Sequence, residues 1–351
     1  MILKTSSRIL KIHPKDNIVV ALCDLNKGLT IQIDAGEFQL VTNVASKHKL
    51  SIENLNIGDY IFMYGVVVGK AVREIQKGES ITTFNISHQT ESYELPKFKK
   101  QIKWEAPKSS DFLKRTFLGY HRDNGAVGTE NNWLIIPLVF CQNRNVEILK
   151  KTMLDKFGYE KSVKDTYNID ELVHKYNSGA SENELLELDL IKSSHINKNK
   201  PLFSNVDGIY FLTHDGGCGG ATSDAVTLCN LLAGYINNPN IAGATVLSLG
   251  CQHAQIKLVE KALKRIAPNT KKPIYFLEQQ QSKSEPEFLA DAIKKTFTGL
   301  IQANKVSRAP APLNKLTLGL ECGGSDGFSG ISANPTLGYV SDIIVGLGGS
   351  A

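Results

Sequence analysis

Apolar residues in the first part of the chain come in short runs, "NIVVALCDL", "LTIQI", "FQLV", "DYIFMYGVVVGKAV" and "SITTF", separated by turn signals at Gly28, Gly36, Gly58 and Gly78. Short runs recurring roughly every 8 to 12 positions predict a small all-β module, here over residues 1–88. Residues 89–112 shift to lysine, glutamate, serine and proline with no sustained period, and they predict a linker.

Beyond the linker the rhythm changes. "NWLIIPLVF" leads into the helical pattern "NRNVEILKKTMLDKF", "VDGIYFLTH" into "SDAVTLCNLLAGYI", "AGATVLSLG" into "AQIKLVEKALKRI", and "KPIYFLEQ" into "EPEFLADAIKKTFTGLIQANK". With "KLTLGLECG" as a fifth strand, these pairs predict a larger α/β body over residues 113–351, built on a mostly parallel sheet. The final "YVSDIIVGLGGSA" predicts a short helix capped by Ser341 and stopped at Gly348 and Gly349. In such sheets ligands bind outside the carboxyl ends of the strands, so the loops after the strands are where chemistry is expected.

Composition narrows the function class. The 351 residues are 42% hydrophobic and 21% charged, enough for more than one core. The net charge of +5 is spread over "KFKK", "KNK" and "KK" without interleaved aromatics, which argues against a nucleic-acid partner. No apolar run approaches the roughly 20 residues of a membrane span, and "MILKTSSRILKIHPKD" lacks a long apolar core, so a cytoplasmic protein without a membrane partner is expected. Six cysteines are too sparse for a disulfide scaffold and are expected to be free thiols, with Cys23 and Cys229 in the core.

Three predicted strands end in the same kind of loop. "FLTHDGGCGG" carries His214 and Cys218, "LSLGCQHAQ" carries Cys251 and His253, and "LGLECGGSDG" carries Glu321, Cys322 and Asp326. Glycines there, among them Gly217, Gly219, Gly323 and Gly324, let the backbone approach a ligand and turn unhindered N–H groups toward an anion. Cys218, Cys251 and Cys322 are soft ligands for a metal or an iron–sulfur cluster, or else small buried hydrophobes. His214, between an apolar strand and a glycine run, reads as ligand or base. In the first module, His13 and the pair His48–Lys49 hint at anion or metal binding. Arg122 in "GYHRDNGAVGTENN" is either a substrate clamp or part of a solvated hairpin.

Taken together, "KIHPKDNIVVAL", "KHKL", "YGVVVGKA", "GYHRDNGAVGT", "GGCGG", "LSLGCQ" and "ECGGSDGFSGISANPTLGYVSD" resemble the altronate and galactarate dehydratases, bacterial sugar-acid hydro-lyases, from about Lys11 to the last residue. The resemblance implies a β-clip module of the SAF type joined to a dehydratase body. It also implies a divalent metal, iron first and manganese second, and conversion of D-altronate to 2-dehydro-3-deoxy-D-gluconate and water in hexuronate breakdown. Galactarate or another aldarate with an iron–sulfur cluster is the competing reading within enzymology, and a non-catalytic sugar-acid-binding fragment is the competing reading outside it. Thr82 and Phe84 stand where many members carry histidines, which leaves His13 and His48 as the metal contributors of the first module.

Removing the proton next to a carboxylate builds charge that a Lewis acid or fixed N–H donors must stabilise, and a histidine suits the base. On this reading His48 or His214 serves as metal ligand or base, Lys49 and Arg122 meet the carboxylate, and Asp326 acts with Ser325 and Asn334 on hydroxyls. The partner is a small sugar acid, with a homo-oligomer left open. Family members run on for roughly half as many residues again, so the body is expected to be cut short at its C-terminal end, with activity reduced accordingly.

Overall fold

The computed structural model describes residues 8–33, 36–90, 104–160, 165–193, 200–321 and 328–351. The chain divides into two units, Met1–Ser110 with Thr317–Ala351, and Asp111–Leu316. Residues 317–351 therefore group with the β-module, whereas the sequence pattern assigned them to the body.

In the first unit β1 (Ile9–Leu10), β2 (Ile18–Ala21), β5 (Lys49–Ser51) and β8 (Ser80–Ile81) form an antiparallel sheet in the order β1-β2-β5-β8. A hairpin of β3 (Thr30–Ile33) and β4 (Gly36–Gln39) and an antiparallel sheet of β6 (Tyr60–Met63), β7 (Val66–Ala71) and β9 (Ile86–His88) complete it. Strand β2 is buried on both faces. Its alternate side chains serve different cores, Val19 and Ala21 packing with Leu25, Leu40 and Leu50, and Ile18 and Val20 with Leu55, Ile61 and Ile75. Gly28, Gly36, Gly58 and Gly78 all have positive φ, as the turn signals require.

The second unit opens with the hairpin of β10 (Thr116–His121) and β11 (Val127–Gly128), then β12 (Asn132–Pro137) and α1 (Asn143–Phe157). An excursion follows, comprising β13 (Asp165–Tyr167), α2 (Ile169–Asn177), α3 (Glu182–Leu186) and β14 (Ile191–Ser193). The chain continues through β15 (Gly208–Phe211), α4 (Thr222–Asn237), β16 (Ile241–Ser248), α5 (Ile256–Ile266), β17 (Ile274–Glu278), α6 (Glu285–Ala303) and β18 (Ala309–Pro312). Strands β15-β12-β16-β17 make a parallel sheet in that order.

Both central strands, β12 and β16, are buried along their whole length, as continuous apolar runs in a sheet covered on both faces should be. Helices α1 and α6 cover one face, packing with Trp133, Ile135 and Leu247, while α4 and α5 cover the other with Leu134, Ile136 and Val246. The unit is thus doubly wound. The Trp133 indole packs against Gly243 and Gly299, and its Nε1–H donates to Thr245 Oγ1 at 3.0 Å, itself 2.7 Å from Thr296 Oγ1.

The fifth strand of the sequence reading does not join this sheet. After α6 the chain pairs β18 antiparallel with β10, leaving the parallel sheet before Leu316, and Thr317 makes only an isolated bridge to Ser350. The last helix, α7 (Ala333–Gly346), is longer than predicted. Ser341 lies inside it, its hydroxyl donating to Leu337 O, while Pro335 falls in the first turn where a missing N–H costs nothing. The predicted stop holds, with Gly348 at φ +90°. Phe328 and Ile331, just before α7, pack against the Ile61 core of the first unit. Cys229 is buried as expected; Cys23 is exposed, because β2 ends at Ala21 and the bend after it faces outward. No helix among the described residues is long and apolar enough to cross a membrane.

Candidate functional site

The strand order places a topological switch point between β12 and β16, whose following helices lie on opposite faces. Three strand-end loops meet there. Phe140 N–H, after β12, donates to Gly216 O at 2.9 Å, and Gly217 O, after β15, accepts from His253 N at 3.0 Å and Ala254 N at 3.1 Å, after β16. Gly217 has φ +97°, and a Cβ there would strike Leu138 O. Glycine is thus needed twice over, for the left-handed backbone and for the close approach.

His214 anchors the same loop. Its Nδ1 accepts from Gly216 N at 3.2 Å, so Nε2 carries the proton and donates to Pro137 O at 2.9 Å. Asn143 clasps the His214 main chain, donating from Nδ2 to its carbonyl at 2.9 Å and accepting its N–H at 3.4 Å. With both ring nitrogens on backbone, His214 positions the glycine loop.

Between His214 and α4 the chain turns through Gly217, Gly219 and Gly220, all left-handed. Among the described residues nothing accepts a hydrogen bond from the backbone N–H groups of Gly217, Cys218, Gly219 or Gly220. Successive free donors leading into a helix N-terminus are the arrangement that anion-binding nests use. It lines a cleft of about 290 Å³ with Asp215, Asp224 and Leu228. The Asp224 carboxylate accepts from Ala221 N at 3.2 Å and fixes the start of the helix.

The loop after β16 is equally fixed. Gly250, at φ +122°, lies against the Gln280 side chain, its N–H donates to Gln252 Oε1 at 2.7 Å, and buried Gln252 donates on to Ser248 Oγ at 2.6 Å. A cluster of amides, Gln142, Asn145 and Gln279, packs at the same edge, with Gln142 Nε2 2.5 Å from Gln279 Oε1 and Asn145 Nδ2 2.8 Å from Gln142 Oε1. Cys218, Cys251 and also Cys141, which the sequence reading passed over, are exposed thiols on these loops.

The expected site residues do not all gather here. His214, Gly217, Cys218, Gly219 and Cys251 do. Arg122 does not: it follows β10, and its Nε donates to Pro239 O at 2.7 Å, at the opposite, amino edge of the parallel sheet. In the first unit, the His13 ring lies against Gly65, and Asp16 ties the His13 and Gly65 N–H groups at 2.9 and 2.8 Å. His48 is exposed, Lys49 opens β5, and Asn334 sits exposed in the first turn of α7. Cys322, Gly323, Gly324, Ser325 and Asp326 lie outside the described residues. Among the described residues no three His, Cys, Asp or Glu side chains come together as a metal site, so those residues alone do not fit one.

Comparison with known proteins bears directly on this edge. Residues 119–304 match the second domain of D-galactarate dehydratase/altronate hydrolase, residues 7–89 the altronate/galactarate dehydratase SAF domain, and residues 313–351 the D-galactarate/altronate dehydratase C-terminal region. The chain belongs to the altronate/galactarate dehydratase family. It is 30% identical to an altronate dehydratase of Bacillus subtilis and 27% to that of Escherichia coli, each over 97% of this chain and 58% of the relative. A galactarate dehydratase (L-threo-forming) of Escherichia coli is 26% identical over 97% of the chain and 57% of the relative. The chain therefore spans somewhat over half the length of these dehydratases. The SAF match coincides with the antiparallel module, and the second-domain match contains the glycine nest.

Proposed function

We propose that the protein dehydrates a sugar acid, D-altronate in the first instance, to 2-dehydro-3-deoxy-D-gluconate and water, with the carboxylate seated in the nest at Gly217–Gly220. The observation that carries this reading is the run of four backbone donors without acceptors at the carboxyl edge of the sheet, in a chain of a dehydratase family. A carboxylate there meets fixed N–H groups, and the charge that grows on it as the neighbouring C–H bond breaks meets the same donors.

His253 is the base we favour. Its main-chain N–H is fixed on Gly217 O, its side chain is exposed, and its ring makes no hydrogen bond among the described residues. An imidazole is the side-chain type that takes up a proton near neutrality without tuning. The proton leaves the carbon next to the carboxylate, the bond from the next carbon to its hydroxyl oxygen breaks, and the hydroxide departs as water after gaining a proton. The enol left behind tautomerises to the 2-keto acid.

The test is an assay for a 2-keto-3-deoxy product from a panel of aldonates and aldarates that includes D-altronate and galactarate, with and without added ferrous or manganous ion. D-Altronate turnover is expected, with His253→Ala lowering kcat by about a hundredfold or more. Product from galactarate alone would move the substrate assignment. No product from any acid under either metal condition would overturn the reading.

A further inference from the structure

A second cavity, of about 560 Å³, opens at the amino edge of the parallel sheet, away from the glycine nest. Its walls are the turn after β10, the ends of α5 and α6, and the segment Pro268–Pro273 that leads into β17. Two cations are built into it. Lys272 Nζ donates to Ile236 O at 2.9 Å and Asn238 O at 2.6 Å, and Arg122 donates from Nε to Pro239 O at 2.7 Å and from Nη2 to Glu130 O at 3.3 Å.

Four consecutive residues at the end of α4 thus supply three of the four carbonyls that hold these charges. Carbonyls orient a cation but do not neutralise it. Among the described residues neither Arg122 nor Lys272 forms an ion pair, and the one carboxylate lining the cavity is Asp123. Arg308 in the same unit shows the contrast, paired to Asp207 at 3.0 Å. Asp123 acts on Arg122 through space without reaching ion-pair distance, so one carboxylate faces two cations, and two partly buried like charges compensated so incompletely are costly unless an anion joins them. Burial, with the Arg122 charge adding to it, holds Lys272 down to about 7. Lys271 and the amides of Asn124, Asn269 and Gln302 add donors around the same space, and His121, its Nε2 3.2 Å from Pro310 O, is the other titratable group lining it.

We propose that this cavity binds a small doubly charged oxyanion, carried as a phosphate group or as a dicarboxylate, between Arg122 and Lys272. The proposal is independent of the dehydratase reading, since none of its residues belongs to the nest. A bound dianion supplies the missing charge and raises the proton affinity of Lys272, so binding draws in a proton near neutral pH.

Calorimetric titration of the full chain with inorganic phosphate and, separately, with succinate distinguishes the two carriers. Repeating it at pH 7 in two buffers of different ionisation enthalpy measures the proton. Saturable one-to-one binding of at least one anion is expected, with net proton uptake for succinate, which is already ionised at pH 7, and less for phosphate, whose monoanion gives up a proton on binding as the dianion. Arg122→Gln and Lys272→Gln should each weaken it tenfold or more. Because loss of Lys272 also strips hydrogen bonds from the end of α4, Asn269→Asp provides a variant at an exposed rim position, where an added carboxylate should weaken binding comparably without touching those bonds. Lys294→Gln, outside the cavity, should change nothing. Absence of saturable heat from either anion at millimolar concentration, or binding unchanged in both Arg122→Gln and Asn269→Asp, would overturn the proposal.

Discussion

Gly299 of α6 rests so closely on Trp133 of β12 that a methyl group on its α-carbon would overlap ring carbon Cη2. The indole cannot step aside. It is fully buried, also closely approached by Gly243, where a Cβ would lie 2.5 Å from Cζ3, and held through Thr245 to Thr296. A mid-helix glycine costs about 1 kcal/mol against alanine, whereas overpacking a closed core costs about 1–3 kcal/mol.

Gly299→Ala is therefore expected to destabilise the second unit despite the gain in helix propensity. Gly234→Ala in α4 is the matched control, because a Cβ there meets nothing within 4 Å. It should stabilise by up to about 1 kcal/mol. Chemical denaturation of the two variants beside the parent checks both signs, and equal destabilisation would refute the account of the Trp133 socket.

Gly217→Ala and Gly219→Ala separate close approach from backbone conformation. Both positions are left-handed, but only at Gly217 would a Cβ strike a neighbouring carbonyl, while at Gly219 it finds open space. Gly219→Ala should cost about 1–2 kcal/mol, the ordinary left-handed penalty. Gly217→Ala should cost more, and should also abolish turnover or sugar-acid binding by disturbing the Leu138, Gly216 and His253 contacts together.

Lys272 predicts a pH slope of its own. Burial brings its folded-state value to about 7 from an ordinary 10.5, so between those limits the unfolded chain binds more protons than the folded one. Stability must then rise with pH across that window, by at most about 1.4 kcal/mol per unit, and flatten below pH 7. Lys272→Met should remove that rise. Urea midpoints of parent and variant at pH 6, 7, 8 and 9 measure it, and parallel curves would refute the burial of a titrating Lys272.

Alkylation rates should sort the cysteines. Burial pushes the Cys229 thiol up to about 11, whereas Cys23, Cys141, Cys218 and Cys251 are exposed. Mass mapping after iodoacetamide treatment of the native protein should show those four modified and Cys229 spared until denaturant is added. A sugar acid seated in the nest should slow Cys218 selectively.

Much of this architecture is legible in the sequence because burial on both faces writes itself as uninterrupted apolar runs. "NWLIIP" and "IAGATVLS" could hardly be other than central strands, and the helices after them start close to the expected residues. "KLTLGL" has the alternation of a strand too. What decides against it is that the chain has already turned aside at β18 to pair with β10, a choice no local pattern records. Arg122 is a second case: the sequence shows its hairpin, but which edge of the sheet it serves depends on the distant Pro239. The Gln142, Asn145 and Gln279 cluster joins the entry into α1 to the turn after β17, and amides carry no periodic signature. His214 has the setting of a ligand or base in the sequence, yet its ring nitrogens are spent on Pro137 and Gly216.

The Gly217 carbonyl, shared between His253 and Ala254, couples two loops that grow from strands lying on either side of β12. On the proposed reading, a guest held by the nest sits one hydrogen-bonded peptide away from the histidine loop. Occupancy and alignment would then be a single event, and a molecule too short to load the nest would leave the histidine unaligned.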